Sequence, residues 1–312
     1  MFNKLLVPLD GTTEAAAALS AAATLARTTG GSITLVRVPE SVRDPAQSLL
    51  GHDLAEDELR SKAEELSAGG LHVDWVLGAH PVAQFIIDAA SARESDLIVM
   101  ATHGRTGLAR AFAGSVSERV VADSGRPVLL LKPGGRPLNE IEKLLVPVDG
   151  TAGGALALGA AVGLARATGA GLVIVDIVPP APLWMYGAVG YGPVMYIDPA
   201  WDEEALRSAQ TYVDGLSGRL QTSGLQVESK AVRGEVAATI DAVAEETNAD
   251  MVVMSTHALT GPARAVLGSV ADSVVGTSHR PVLLIHRPDG VLAGTEDVLE
   301  TRSEVAARAK VD

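Results

Sequence analysis

The stretch KLLVPLDGT occupies residues 4–12, and KLLVPVDGT occupies residues 143–151. They match at eight of nine positions. Two more pairs follow in the same order. ATHGRTGLARAFAGSV (101–116) and STHALTGPARAVLGSV (255–270) match at ten of sixteen, and RPVLL recurs at 126–130 and 280–284. Three ordered matches mean an internal duplication. The offset is 139 residues at the first pair and 154 at the other two, so the second copy carries 15 extra residues between them. Each copy has the size of a domain.

Within the first copy, short apolar runs alternate with helix-forming segments. KLLVPLD reads as a strand ending at Asp10. TEAAAALSAAATLART (13–28) reads as a helix stopped by Gly30-Gly31. SITLVRV (32–38) is a second strand, and residues 53–68 form a charged, amphipathic helix. LHVDWVLG is a third strand, followed by a helix with Pro81 in its first turn. DLIVMAT is a fourth strand, SVSERVVADSG a helix and RPVLLLK a fifth strand. The second copy repeats this order. Strict alternation with continuous apolar strands predicts a parallel, doubly wound sheet. The Gly/Pro-rich stretch KPGGRPLNEIE (132–142) reads as the linker. The expected division is 1–135 and 142–288, with a polar tail at 289–312.

Composition narrows the class. The chain has 312 residues, 47% apolar but only 3% aromatic, which calls for an aliphatic core between sheet and helices. The net charge of −13 argues against a generally basic nucleic-acid binder. The absence of Cys excludes disulfides, thiolate catalysis and Cys-ligated metals. No window approaches about 18 uncharged apolar residues, so no membrane span is expected. The expected location is the cytoplasm.

In doubly wound folds, ligands sit beyond the carboxyl ends of the strands, where the strand order reverses. VPLDG, VRVPE and VMATHG all end there. Gly114-Ser115 immediately precedes a helix, whose first N–H groups and positive dipole end suit an anion. Ser115 and Ser117 could add hydroxyl donors. The same residues also fit an ordinary helix cap, and both readings stand at this level. Walker A is absent because no Lys follows the glycine, and G-x-G-x-x-G is absent too.

Placed together, these motifs resemble the universal stress protein family in its tandem form, over roughly residues 3–133 and 142–287. The family's motif G-x2-G-x9-G-S/T is matched by Ala101-x2-Gly104-x9-Gly114-Ser115, with only the first glycine replaced. The resemblance implies two tandem α/β Rossmann-like domains, each a five-stranded parallel sheet with helices on both faces. It also implies ATP, with Mg²⁺ arriving on the phosphates. It places Pro8, Leu9 and Asp10 near the adenosine, and Val38 at the adenine. Gly104, Gly114, Ser115, Val116 and Ser117 fall at ribose and phosphates, with Met100, Ala101 and His103 between. In the second copy the matching positions are Pro147, Val148, Asp149, Ile177, Met254, His257, Gly268, Ser269 and Val270. That copy departs more: it reads Ser255-x2-Ala258-x9-Gly268-Ser269, and Leu259 replaces Arg105. The first copy is therefore expected to bind ATP, and the second to bind it more weakly or not at all.

Asp10 and Asp149 have two readings, a turn-forming carboxylate and a hydrogen bond to ribose or adenine. His103 and His257 read as loop histidines, since no metal-ligand spacing surrounds them. No catalytic or metal-ligating residue is expected. The stretch PPAPLWMYGAVGYGPVMYIDPAW (179–201) carries three of the four tyrosines and is expected to cover the second copy's own cleft. Three functions compete: a nucleotide-dependent binding module, a slow ATPase or phosphotransferase, and a dimeric structural protein without nucleotide. The fifth strand would leave a sheet edge needing cover. A homodimer or pairing of the two domains within one chain would supply it.

Overall fold

The computed structural model describes residues 2–39, 45–102, 115–180, 199–256 and 268–286. In the first half the order is β1 (Lys4–Leu9), α1 (Thr13–Thr29), β2 (Ser32–Arg37), α2 (Pro45–Ala68), β3 (His72–Leu77), α3 (Val82–Ala92), β4 (Leu97–Ala101), α4 (Ser115–Asp123) and β5 (Val128–Leu131). The second half runs β6 (Lys143–Val148), α5 (Ala152–Thr168), β7 (Gly171–Val178), α6 (Pro199–Thr222), β8 (Val227–Arg233), α7 (Val236–Glu246), β9 (Met251–Ser255), α8 (Ser269–Thr277) and β10 (Val282–Ile285). The expected alternation is present in both halves. One expectation is corrected: α2 begins at Pro45, well before residue 53. Proline suits a first helical position because its missing N–H would have no partner there.

Each half is a five-stranded parallel sheet of order 3-2-1-4-5, and the two join into one ten-stranded sheet, β3-β2-β1-β4-β5-β10-β9-β6-β7-β8. The seam is antiparallel, with Val282 opposite Leu130, Leu283 opposite Leu129 and Leu284 opposite Val128. These residues are almost wholly buried. The fifth-strand edge that needed cover is thus covered inside the chain. Because the seam is antiparallel, the strands of the two halves run in opposite directions, and their carboxyl ends lie at opposite rims of the sheet.

Helices cover both faces, as continuous apolar strands require. On one face α1, α2, α5 and α6 enclose a core that includes Leu5, Val7, Leu25, Leu35, Leu129, Leu144, Leu164 and Leu283. That core crosses the seam. The other face packs α3, α4, α7 and α8 on Leu6, Val36, Ile98, Leu130, Leu145, Val252 and Leu284. Helix α1 is alanine-rich, with Ala18, Ala21 and Ala22 fully buried, so it can approach the sheet closely. Thr12 and Thr151 cap α1 and α5 by accepting from Ala15 N and Gly154 N.

The same carboxylate device fastens each half. Asp96 accepts from Asn3 N (2.8 Å) and Lys4 N (3.0 Å), and Asp250 accepts from Glu142 N (2.9 Å) and Lys143 N (3.0 Å). Each holds the start of the first strand of its half beside the fourth. The connection 132–142 packs against the sheet domains as it crosses between them. Leu138 and Ile141 are buried in the seam-crossing core. No helix among the described residues is long and apolar enough to cross a membrane.

Candidate functional site

The first strand of each half ends in Asp-Gly-Thr, and the two turns are built alike. Asp10 Oδ1 accepts from Thr12 N (3.0 Å) and Thr12 Oγ1 (2.6 Å). Asp149 Oδ1 accepts from Thr151 N (3.0 Å) and Thr151 Oγ1 (2.6 Å). Between them, Gly11 and Gly150 take φ of 81° and 75°, a backbone that side-chain-bearing residues rarely adopt. The aspartates therefore do form turns.

The turn also faces a cleft. In each half the first and fourth strands are neighbours, and the chain leaves them in opposite directions, which opens a crevice at their carboxyl ends. In the second half this crevice is a cavity of about 460 Å³. Its walls come from the end of β6 (Pro147, Val148, Asp149), from β7 (Ile177, followed by Pro179), from β9 (Met254, Ser255) and from the start of α8 (Gly268, Ser269, Val270, Ala271). Gly154, Val236 and Ile240 complete it. Ile177, Val236, Ile240 and Met254 make an apolar pocket, the kind of wall that holds a flat ring. Val148 lies in the core on the opposite face, so its contribution is main chain.

At the other end of the cavity, α8 begins without a side-chain cap. Gly268, at φ −38° and ψ 146°, has no side chain to offer the helix. The first intrahelical bond runs from Asp272 N to Gly268 O at 3.0 Å. The N–H groups of Ser269, Val270 and Ala271 thus open the helix at the cavity wall and leave room for an anion. Asp272 in the first turn offsets part of the dipole, but it is exposed. Among the described residues, Asp149 is the one charged side chain on the cavity wall.

Eight of the nine sequence-predicted residues of the second copy are brought together on this wall, and the ninth, His257, lies outside the described residues. Gly154, Pro179, Val236, Ile240 and Ala271 were not foreseen, and Ser255 was read only as the first position of the loop motif. Val236 and Ile240 carried a usable signal, an apolar pair four apart on one helix face. In the first half, Pro8 lies near the end of β1 and Asp10 directly follows it, and Met100 and Ala101 end β4, both buried. Val38 directly follows β2 and is half-buried. Leu9 points into the opposite core. Val116 is half-buried near the start of α4, and Ser117 is 3% exposed. Ser115 is the first residue of α4. His103, Gly104 and Gly114 lie outside the described residues, as does the aromatic stretch at 181–198.

A profile of the universal stress protein family matches residues 1–132 and again 140–286. The chain belongs to the universal stress protein family. It is a tandem member, and relatives of both lengths occur. A universal stress protein of Thermus aquaticus is 32% identical over 142 residues, covering 42% of this chain and all of that one. Another, from Mycolicibacterium smegmatis, is 24% identical over 296 residues, covering 90% of this chain and 96% of its own. Among solved structures, a universal stress protein from Archaeoglobus fulgidus superposes with a TM-score of 0.69. It is 22% identical and covers 93% of this chain and 98% of that one, a likeness of fold. Among the described residues no group of three or more His, Asp or Glu side chains could hold a metal ion.

Proposed function

We propose that this tandem universal stress protein is a cytoplasmic adenine-nucleotide-binding module of the stress response, taking ATP at the carboxyl ends of its strands. The observation that carries the reading is the cavity in the second half. It joins an apolar wall, a carboxylate held by its turn and an uncapped helix N-terminus. An adenine ring suits Ile177, Ile240 and Met254. Asp149 suits a ribose hydroxyl or the exocyclic amine, since a carboxylate beside phosphates would repel them. The amides of Ser269, Val270 and Ala271 suit the phosphates. Mg²⁺ would be held by phosphate oxygens and water rather than by a protein cage.

The ranking of the two clefts rests on the loop sequences. Gly104 of the first loop is replaced by Ala258 in the second, which reaches left-handed backbone angles at a cost of about 1 kcal/mol. The first loop also keeps Arg105 where the second has Leu259. The first cleft is therefore the tighter one, by about fivefold from the glycine alone. Equilibrium titration with ATP tests this: two unequal classes of site are expected, and equal occupancy of both clefts contradicts the ranking. Gly114→Phe should abolish the tighter class. Unchanged ATP affinity in a folded Gly114→Phe protein removes the phosphate site from the reading. Native mass spectrometry of the purified chain, read for retained nucleotide, separates this function from a purely structural one, and a turnover assay separates it from a slow ATPase.

A further inference from the structure

Helix α8 carries the amides that open onto the second cleft, and its other end is held by the first domain. Lys132 directly follows β5, and its Nζ donates to Gly276 O at 2.9 Å and Thr277 O at 3.5 Å, in the last turn of α8. Four residues on, Arg136 N donates to His279 O at 2.7 Å. Between them the chain runs so close that a Cβ on Gly135 would stand 3.0 Å from Lys132 O and 3.1 Å from His279 O. The glycine is what lets the backbone reach. Arg136 also sets its guanidinium 3.6 Å from Asp250, the carboxylate that fastens the start of β6.

The gripped segment is ordered from its own side as well. Ser278 is 1% exposed and closes α8 through Ser278 N to Val274 O at 2.7 Å. His279 N donates to Asp241 Oδ1 at 3.1 Å. The duplicate position behaves differently. His286 stands where Lys132 stands in the first copy, and its Nδ1 meets Thr256 Oγ1 at 3.0 Å, a contact inside its own domain. Among the described residues, the cross-domain grip is made on α8 alone.

A helix of nine residues is only about 14 Å long, so fixing one end fixes the direction of the other. A cation on the last carbonyls also satisfies groups that the helix itself leaves unpaired and favours its dipole. We propose that residues 132–136 are a strap through which the first domain sets the position of α8, and with it the nucleotide affinity of the second cleft, with Lys132 as the positioning residue. This rests on the nucleotide reading of that cleft. Occupancy there is a property of both domains.

The test is photoaffinity labelling with an azido-ATP, mapped to peptides so that each cleft is read separately, on the full chain and on Lys132→Met and Lys132→Arg. Lys132→Met should raise half-saturation at the second cleft about two- to fivefold, the usual range for a cation at a helix carboxyl end. Arginine should restore most of it, and the first cleft should not move. Amide exchange across residues 274–278 should quicken in the methionine variant alone. Unchanged labelling of the second cleft, or an equal loss at both clefts, overturns the strap while leaving nucleotide binding intact. If the unaltered chain labels at neither cleft, the nucleotide reading falls and the strap with it.

Discussion

Asp149 does two things that two substitutions can separate. Its Oδ1 accepts two hydrogen bonds from Thr151, at 3.0 Å from the amide and 2.6 Å from the hydroxyl, and the residue also lines the second cleft. Asp149→Ala removes both bonds and loosens the cap of α5, because Thr151 Oγ1 accepts in turn from Gly154 N. Bonds to a charged group contribute about 1.5–3 kcal/mol each when sheltered, and less at an exposed turn such as this one. The expected loss is about 1–2 kcal/mol, or a fall in Tm of roughly 3–6 °C for a domain of this size. Asp149→Asn keeps an oxygen in the same place and should recover most of that stability. It does not recover a carboxylate for the nucleoside, so ATP binding at the second cleft should stay weakened by about tenfold or more. Calorimetric unfolding and site-resolved labelling read the two effects. If asparagine restores affinity as fully as it restores Tm, the carboxylate serves the turn alone. If alanine leaves Tm unmoved, the two bonds from Thr151 do not stabilise the turn.

Two further outcomes follow from the seam and its edge. Leu283→Ala empties a buried position opposite Leu129 in the antiparallel seam and should cost about 2–5 kcal/mol, read by chemical denaturation; a cost under 1 kcal/mol would mean the seam is not a cooperative part of the core. Burial lowers the pKa of His286 below its ordinary 6.5, so the folded state holds fewer protons there than the unfolded chain. Stability should therefore fall as pH drops through 6.5 and level off below the folded value. His286→Gln should flatten that part of the pH–stability curve, and an unchanged slope would refute the assignment.

The alternation of strands and helices was legible because each strand is a nearly unbroken apolar run, such as DLIVM before the first glycine loop, and each connecting helix is rich in helix formers. The start of α2 was not, because residues 45–52 hold Gly51 and no clear apolar stripe, and Leu50 and Leu54 are exposed. The Gly and Pro content of 132–142 marks a linker but does not reveal that Leu138 and Ile141 are buried or that Gly135 serves a close approach. The repeat RPVLL signalled an edge needing cover, but nothing local in it specifies an antiparallel partner 154 residues away. For the cleft, strand-end residues could be read from motif spacing. The wall supplied by α7 was only half legible: the apolar pair Val236 and Ile240 marks a buried helix face, but that the face meets the cleft depends on how the helix is laid over the sheet.

The antiparallel seam gives the molecule two mouths that look away from each other. A flat surface laid against the rim at one mouth cannot also reach the rim at the other.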